Sequence, residues 1–347
     1  MQSNYFKRVS KYTQTKFWIN NVTEEEAHLA IENGAVGCTQ NPAYVYKMIE
    51  KNTQADKINK LIKKYHEEGK SVCDIEVAIQ RDLVKEIADI FYPIYENTGG
   101  KQGHVSIQGD PFHEDVDTII KYALYNCEVA PNIMAKVPVT PDGLKAIHYL
   151  LKKRIAINAT EVMSVSQAMD VCRVYEDATK GMKEKPVLYY SHISGILDEY
   201  LVKTVKKDGI SIDKDILWQA GIAAAKKTYQ MTKAISSDAG FIGGGARGLH
   251  HFTEMVGADA CITINWKGCA DELLKQDALV LNLFERETPH YVIDELVKKI
   301  PDFRKAYFTY ELQPEEYEEF GPVVLFRESF EKAWQDAETY IKQIIEK

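Results

Sequence analysis

The chain has 347 residues, of which 45% are hydrophobic, 27% charged and 10% aromatic, and its formal net charge at pH 7 is −8. This composition is typical of folded globular proteins and excludes an intrinsically disordered chain, a collagen-like repeat and a small disulfide-rich protein. The length fits two average domains, but it also fits a single α/β barrel with additions.

Charge and hydropathy limit the partners and the location of the protein. A mild acidic excess gives no overall attraction to nucleic acid or to an anionic membrane, so an anionic ligand must be held by local groups. The first ten residues lack an apolar core of signal-peptide length, and no run approaches the ~18 apolar residues of a membrane span. Six scattered cysteines without a CxxC pair predict reduced thiols. We therefore expect a cytoplasmic protein without a nucleic-acid or membrane partner.

Eight short apolar runs alternate with segments of helical period, which is the pattern of βα units around a parallel sheet. Eight is also the number of strands in a TIM (β/α)8 barrel, which is the predicted fold. The predicted strands are 17–20, 34–39, 104–109, 133–139, 155–160, 187–192, 240–243 and 260–264.

Helical segments fill the intervals between these strands. Thr23, followed by three glutamates, predicts a helix N-cap with an acidic first turn. Segment 74–95 predicts an additional helix between the second and third strands. No strand is predicted after Pro301, and residues 307–347 are predicted to form a helical addition that ends in the amphipathic segment 326–345. No linker or repeat divides the chain, so residues 1–347 are predicted to form one domain.

Lys136 is the residue whose position most clearly indicates chemistry, because it lies within the apolar run 133–139. Burial disfavours the charged ammonium and lowers the pKa of a lysine. A neutral amine can form an imine with a ketone or an aldehyde. The local sequence alone also fits a lysine that reaches solvent along a strand end, or one buried against a carboxylate.

The motifs around Lys136 and elsewhere resemble, in order along the chain, those of the transaldolase family of Schiff-base-forming class I aldolases. The resemblance runs from about residue 17 to residue 266, and FEKAW near the end is similar to the closing helix of the family. The motifs that carry it are GAVGCTQNPAYV with its TxNP core, IYENTGGKQGHVSIQGDP, NIMAKVPVTPDGLKAI, INATEVMSVSQAM, YYSHISGILDEY and GGGARG.

The resemblance implies a barrel whose active site lies at the C-terminal ends of the strands and needs neither a cofactor nor a metal ion. It implies that Lys136 forms the imine and that Thr160 positions the catalytic water. The substrate-binding residues that it implies are Thr39, Asn41, Asn158, Ser191 and, for the phosphate, Arg247. The alternative for each is structural: an inward Asn or Thr can satisfy its neighbours, and Arg247 can form a surface ion pair.

Two expected carboxylates are absent. Asn20 stands where most family members have an aspartate and Gln108 where most have a glutamate, although the fructose 6-phosphate aldolase branch also has glutamine there. Because an amide cannot take a proton at neutral pH, the general base must come from elsewhere. We predict that Glu161 supplies it, with Asp110 and His192 as the second and third candidates. The alternative for Glu161 is a solvent-facing glutamate that leads into a helix.

The anion site also departs from the family. The turn that resembles GRLD reads GILD, so Ile196 replaces one of two expected arginines. Loss of a charged hydrogen-bonding partner costs on the order of 1.5–3 kcal/mol, which predicts weaker phosphate binding or a different headgroup. Backbone N–H groups of the loop 243–248 are expected to compensate in part.

Three functions remain open from the sequence. The first is a transaldolase of the pentose phosphate pathway, which transfers a dihydroxyacetone unit from a ketose, expected to be phosphorylated, to an aldose acceptor. The second is an aldolase that releases free dihydroxyacetone, on a phosphorylated, sulfonated or plain ketose. The third is a catalytically silent barrel with a binding or regulatory role. In each, the expected partner is a small sugar or sugar phosphate, and a homo-oligomer is possible.

Overall fold

Eight parallel strands close into a barrel in the computed structural model of the protein, which describes residues 3–52, 54–236 and 238–346. Each strand pairs with the next along the chain, and the last pairs with the first, so the predicted TIM barrel is confirmed. The predicted strand bounds agree within two residues. The strands are β1 Lys16–Asn20, β2 Ala35–Thr39, β3 Val105–Gln108, β4 Ile133–Pro138, β5 Ile157–Val162, β6 Leu188–His192, β7 Gly240–Gly243 and β8 Ala260–Ile264.

Helices surround the barrel and cover one of its ends. A kinked turn, Trp266–Ala270, in which Lys267 and Gly268 have non-helical backbone angles, and a 3-10 turn, Pro314–Glu316, complete the regular structure. The α-helices are α1 Tyr5–Tyr12, α2 Glu24–Glu32, α3 Tyr44–Lys51, α4 Ala55–Glu67, α5 Val72–Asn97, α6 Val116–Cys127, α7 Pro141–Lys152, α8 Val165–Thr179, α9 Ser194–Asp208, α10 Lys214–Leu217, α11 Ala220–Lys233, α12 His250–Thr253, α13 Asp271–Gln276, α14 His290–Lys299, α15 Pro301–Tyr307 and α16 Gly321–Ile345.

Local sequence signals account for several helix boundaries. The Thr23 hydroxyl accepts the N–H of Glu26, and the Glu26 carboxylate accepts the N–H of Thr23, which forms a complete capping box at the start of α2. The additional helix predicted at 74–95 is α5, which begins after Ser71, whose side chain caps it. All six cysteines are free thiols. Within the described ranges, no helix is long and apolar enough to cross a membrane.

The barrel interior changes from apolar to polar along the strands. Trp18, Met134, Ile242 and Cys261 form an apolar cluster inside the barrel. Gly37 leaves space for the Trp18 ring, because a Cβ at this position would lie 2.2 Å from a ring carbon. Toward the carboxyl ends, the inward positions carry hydroxyl, amide and amine groups. The polar end therefore faces the mouth of the barrel, where active sites of this fold lie.

Helix α16 covers this mouth. It contacts α3, α4, α5 and α9 around the rim and also reaches β5. Its Phe326 and Phe330 are buried at the cavity beneath it, whereas Ser329 is exposed. The predicted C-terminal helical extension is confirmed. Its helix α16 packs on the outer helices of the barrel and also lines the cavity at the barrel mouth. The extent of the single predicted domain, 1–347, stays a prediction.

Candidate active site

A cavity of about 320 Å³ opens at the carboxyl ends of the strands. Gln108 lies along a smaller neighbouring cavity of about 20 Å³, which Lys136 also lines, together with Asp110 and Glu114. Two predicted residues, Asn158 and Glu161, line neither of these cavities. The larger cavity brings together seven of the ten predicted site residues, Asn20, Thr39, Asn41, Lys136, Thr160, Ser191 and Arg247.

Lys136 lies on β4 and is 8% exposed. Burial lowers the pKa of its amine to about 8, and the negative charge of Glu161 opposes this shift. At pH 7 about one amine in ten is then neutral, compared with about one in 3000 for a lysine with an ordinary pKa. Its Nζ lies 5.7 Å from the centroid of the Phe330 ring. The amine therefore meets the two requirements of imine formation, partial neutrality and access to a cavity.

Glu161 is buried, with 1% of its surface exposed, so the solvent-facing alternative is excluded. Its backbone has a φ of 62°, and the pairing of β5 with β6 shifts register between Ala159 and Val162. Because of this irregularity, its side chain reaches the barrel interior, where Gln108 Nε2 donates a hydrogen bond of 3.0 Å to Glu161 Oε1. Glu161 Oε2 is buried and has no hydrogen-bond partner among the described residues. This oxygen is available to take up a proton.

Gln167 fixes this unusual backbone. Its Nε2 donates to the carbonyl oxygens of Val139 and Glu161, each at 3.1 Å. Its Oε1 accepts the N–H of Met163 at 2.9 Å. A left-handed residue other than glycine costs about 1–3 kcal/mol, and such strain persists only where its surroundings hold it. The SxxQA element thus positions Glu161 as well as capping α8.

The charges around Glu161 have opposing effects on its protonation. Burial raises the pKa of Glu161, whereas the hydrogen bond from Gln108 and the positive charges of Lys136 and Arg327 lower it. Burial and the charge of Glu161 together hold the pKa of Glu114 well above its usual range. The site therefore combines a partly neutral amine with a carboxyl group whose affinity for protons is increased, which suits proton transfer near neutral pH.

The other two candidate bases are less suited to this role. Asp110 Oδ1 accepts the N–H of Phe112 at 2.8 Å, and its Oδ2 lies 2.6 Å from His113 Nδ1. His192 is buried against Phe241, with ring centroids 6.3 Å apart, and it does not line the cavity. Burial lowers the pKa of His192 to about 3. It follows Ser191, which lines the cavity, and adjacent strand residues face opposite sides. The proposal of His192 as a base is therefore wrong.

Asn20 belongs to a hydrogen-bond network at the β1, β2 and β8 side of the mouth. Thr39 Oγ1 donates to Asn20 Oδ1 at 2.9 Å, and Asn20 Nδ2 donates to Asn265 Oδ1 at 3.1 Å. The hydroxyls of Thr39 and Thr263 are 2.8 Å apart. An amide can donate to one neighbour while it accepts from the other, which an ionised aspartate cannot do. The network gives a physical reason for asparagine at this position.

Asn158 contacts other side chains of the barrel interior. Its Oδ1 accepts from Ser191 Oγ at 2.7 Å, and its Nδ2 donates to Ser106 Oγ at 3.1 Å. It thereby orients the Ser191 hydroxyl, which does line the cavity.

Asn41 uses its Oδ1 to accept the N–H of Ala43 at 3.1 Å. Thr160 Oγ1 is buried without a hydrogen-bond partner in the described ranges, which leaves it free to bind a water or a substrate group.

Two cationic side chains besides Lys136 line the cavity. Arg247 Nε donates to Glu199 Oε2 at 2.6 Å, so it forms the ion pair that the sequence left as an alternative, although it also lines the cavity. Lys47, on α3, has a pKa lowered by burial and forms no ion pair within the described part of the chain. Ile196 lies beside Gly245, where a Cβ would approach its side chain to 3.1 Å. Apolar packing thus occupies the position of the missing arginine.

Sequence reasoning missed several residues that line the cavity, namely Lys47, Thr263, Asn265, Phe326, Ser329 and Phe330. Thr263 and Asn265 continue the alternation that places Cys261 inside the barrel, so their inward position was available from the strand pattern. Lys47 lies one turn into the helix after the TQNP element. The residues of α16 had no local signal, because their position depends on where the helix docks.

Comparison with known proteins shows the family of the chain. The sequence matches the family model described as "Transaldolase/Fructose-6-phosphate aldolase" over residues 17–320. The chain belongs to this family. It resembles the transaldolase of Trichodesmium erythraeum, with 29% identity over 259 residues that cover 68% of this chain and 67% of the relative.

Other relatives match over shorter stretches. Transaldolase 2 of Streptomyces coelicolor is 29% identical over 214 residues, which cover 59% of this chain and 56% of the relative. The transaldolase of Saccharopolyspora erythraea is 32% identical over 152 residues, which cover 43% of this chain and 40% of the relative. The chain thus spans about half or less of the length of these two relatives. The family match and the names of the relatives indicate a divergent enzyme of the transaldolase type.

Proposed function

We propose that the protein transfers a dihydroxyacetone unit from a ketose to an aldose acceptor through an imine on Lys136, as a transaldolase of the pentose phosphate pathway. The observation that carries this proposal is a lysine with a pKa of about 8 that lines a cavity of about 320 Å³ at the barrel mouth. Membership of the family supports it.

The proposed reaction begins when the neutral amine of Lys136 attacks the ketose carbonyl. The carbinolamine then takes up a proton from solvent, loses water and becomes a protonated imine. Glu161 Oε2 accepts the proton of the C4 hydroxyl through a water held by Thr160, because Thr160 lines the cavity and Glu161 does not. The C3–C4 bond breaks, its electron pair enters the imine to form an enamine, and the aldehyde product leaves. The enamine then attacks the acceptor aldehyde, Glu161 returns the proton to the new hydroxyl, and water hydrolyses the imine.

Polar groups around the cavity are proposed to orient the donor sugar. The hydroxyls of Ser191 and Thr39 and the amide of Asn41 line the cavity and provide hydrogen-bonding groups for hydroxyls of the sugar. Asn158 acts on the substrate through Ser191. Gln108 has a positioning role, because its amide holds Glu161 Oε1. Asn20 also has a positioning role, because its Oδ1 accepts a hydrogen bond from the Thr39 hydroxyl.

The headgroup of the substrate is proposed to be an anion bound by Arg247 and Lys47. Both cations line the cavity, and Lys47 has no competing ion pair among the described residues. Backbone groups of Gly244, Gly245 and Ala246 also line this side of the cavity. A phosphate and a sulfonate both fit this charge, with the phosphate favoured because two cations match a dianion.

Borohydride trapping tests the proposal directly. The protein is incubated with phosphorylated, sulfonated and plain ketoses, reduced, digested and examined by mass spectrometry. We expect a dihydroxyacetone or ketose adduct on the peptide that contains Lys136, and none in Lys136→Met. Lys226→Met is the matched control, because Lys226 is equally buried but its Nζ donates to the carbonyl oxygens of Leu283 and Arg286. Absence of an adduct with every ketose would favour a silent binding barrel.

A simple aldolase is the second candidate, because Gln108 is shared with the aldolase branch that the sequence resembles. In that reaction the enamine takes up a proton on carbon instead of attacking an acceptor aldehyde, water hydrolyses the resulting imine, and free dihydroxyacetone accumulates. Measuring dihydroxyacetone release with a ketose alone and with an added aldose distinguishes the two. Slow release of dihydroxyacetone from the ketose alone, which an added aldose suppresses, supports the transferase. Rapid release from the ketose alone supports the aldolase.

A further inference from the structure

Asp198, His250 and His251 bring three metal-ligating groups together behind the loop 244–248. Asp198 lies in the second turn of α9, and the two histidines begin α12. One potential ligand atom from each residue lies within 4.8 Å of the other two, and no other such group of three occurs in the described ranges. Neither histidine lines the sugar cavity, so the cluster is separate from the proposed catalytic groups.

The carboxylate of Asp198 is oriented toward both imidazoles. Its Oδ1 accepts the N–H of Gly221 at 2.6 Å. Its Oδ2 lies 3.0 Å from His251 Nε2 and 3.7 Å from His250 Nε2. The imidazole rings are 4.0 Å apart, and the ring of Trp218 lies 4.4 Å from that of His250. Three potential ligands therefore come together from two different helices.

A buried nitrogen in this cluster lacks a partner. His250 Nε2 is shielded from solvent and has no hydrogen bond within the described part of the chain. A hydrogen bond between His251 and Asp198 accounts for two of the three groups but leaves this nitrogen unsatisfied, which is costly when buried. A metal ion would use its lone pair together with the other two ligands. A simple hydrogen-bonded pair of His251 and Asp198 therefore does not explain the buried, unpartnered Nε2 of His250.

The donor set and the spacing match a first-row transition metal. Two imidazoles and one carboxylate are common ligands of Zn²⁺, and they leave a fourth tetrahedral position for water. Metal–ligand bonds of about 2.0–2.1 Å place the ligand atoms of a tetrahedral site roughly 3.3–3.5 Å apart. This separation lies between the 3.0 Å and 3.7 Å that separate Asp198 Oδ2 from the Nε2 atoms of His251 and His250. The carbonyl of Gly248 lies 3.2 Å from His251 Nδ1 and the backbone N–H of Arg247 lies 3.4 Å from it, so these two groups hold the ring with Nε2 toward Asp198.

We propose that Asp198, His250 and His251 form a binding site for a divalent transition metal ion of the Zn²⁺ type. The sequence predicted no metal site, because Asp198 is distant from the histidines along the chain. The ion would join α9 to the loop that carries Arg247, and it would stabilise their relative position without taking part in the chemistry. The proposal does not depend on the proposed reaction.

A metal titration of the untagged full-length protein tests the site. After treatment with a chelator, the protein is titrated with Co²⁺, whose visible absorption reports tetrahedral binding, and Zn²⁺ is then added as a competitor. We expect one equivalent to bind and a rise in the unfolding temperature with Zn²⁺. His250→Phe keeps a ring against Trp218 and removes the ligand nitrogen. We expect it to lower affinity at least about a hundredfold, because loss of even an outer-shell partner costs 10–100-fold.

His148→Phe is the matched control. His148 Nε2 also lies 3.0 Å from a carboxylate oxygen, Asp177 Oδ2, but no third ligand joins that pair among the described residues. Its affinity for Co²⁺ should equal that of the wild type. The proposal is overturned if the wild type shows no saturable binding, or if His250→Phe binds as tightly as the wild type. If His250→Phe does not fold, His250→Gln provides the same comparison.

Discussion

Glu161→Gln should have opposite effects on two steps of the proposed reaction. Glutamine retains the shape of the side chain and can still accept the hydrogen bond from Gln108 through its carbonyl oxygen. The substitution removes the negative charge that opposes the effect of burial on the pKa of Lys136. Because a carboxylate favours the ammonium form, its loss lowers the pKa of Lys136 further below about 8. It also removes the proposed proton acceptor.

The expected magnitudes separate these effects. About one Lys136 amine in ten is neutral at pH 7 in the wild type, so a lower pKa can increase the rate of imine formation at most about tenfold. Loss of a general base typically reduces the rate about 10²–10⁴-fold. Turnover should therefore fall by at least about tenfold, while borohydride trapping at pH 7 becomes faster and its pH midpoint moves to lower pH.

Single-turnover trapping and steady-state turnover, both measured from pH 5 to pH 9, test this prediction. Glu76→Gln is the matched control, because both carboxylate oxygens of Glu76 are buried without a partner in the described ranges, and it does not contribute to the pKa of Lys136. The reasoning fails if Glu161→Gln turns over at the wild-type rate. It also fails if the pH midpoint of trapping rises, because the carboxylate would then not stabilise the ammonium.

Three further substitutions test the surroundings of the site. Phe330→Ala admits water above Lys136, so the pKa of the amine should rise from about 8 toward its ordinary value, and the pH midpoint of trapping should rise with it. Lys47→Met should raise the KM for a phosphorylated ketose about ten- to a hundredfold, as expected from the loss of a charged hydrogen bond, and leave that for the plain ketose unchanged. Gln167→Ala leaves two buried carbonyls without donors, so denaturant unfolding should show a loss of at least about 2 kcal/mol, and kcat should fall because Glu161 is no longer held.

Controls exist for these substitutions within the same protein. Lys51→Met removes a lysine one turn further along α3, but its Nζ pairs with Glu26 Oε1 at 2.8 Å, so the KM should not change. Phe303→Ala truncates a fully buried phenylalanine of α15 that does not line the cavity and should lower stability without moving the pH midpoint of trapping. Equal effects of Lys47→Met on phosphorylated and plain ketoses would contradict the assignment of Lys47 to the headgroup.

The strands and the buried lysine could be predicted because their signals are local. Apolar runs of four to seven residues separated by segments of helical period predict both the strands and their number. The apolar residues on both sides of Lys136 predict its burial, and burial is the largest cause of its lowered pKa. The same alternation predicts that Asn158 points inward. It does not predict depth along the barrel axis, and Asn158 does not line the sugar cavity but contacts Ser106 and Ser191.

The position of Glu161 could not be derived from strand alternation. Thr160 and Glu161 are adjacent, so a regular strand would direct them to opposite faces, whereas both are buried near Lys136. The left-handed backbone of Glu161 breaks this rule. It depends on Gln167, six residues later, which also donates to the carbonyl of Val139, the residue that follows β4. The contribution of α16 is equally nonlocal, because only docking of the helix brings Phe330 to the amine.

The two departures at β1 and β5 form a consistent change in the electrostatics of the site. With asparagine at position 20, the β1 side of the mouth is a neutral network that holds Thr39. The proposed acid instead lies on β5, where its charge acts on Lys136 and stabilises the ammonium that imine formation must avoid. An acid in this place is compatible with a reactive amine only if burial lowers the pKa of Lys136 by more than the carboxylate raises it. The cover provided by Phe330 on α16 supplies part of that burial, so the C-terminal helix and Glu161 should be functionally dependent on each other.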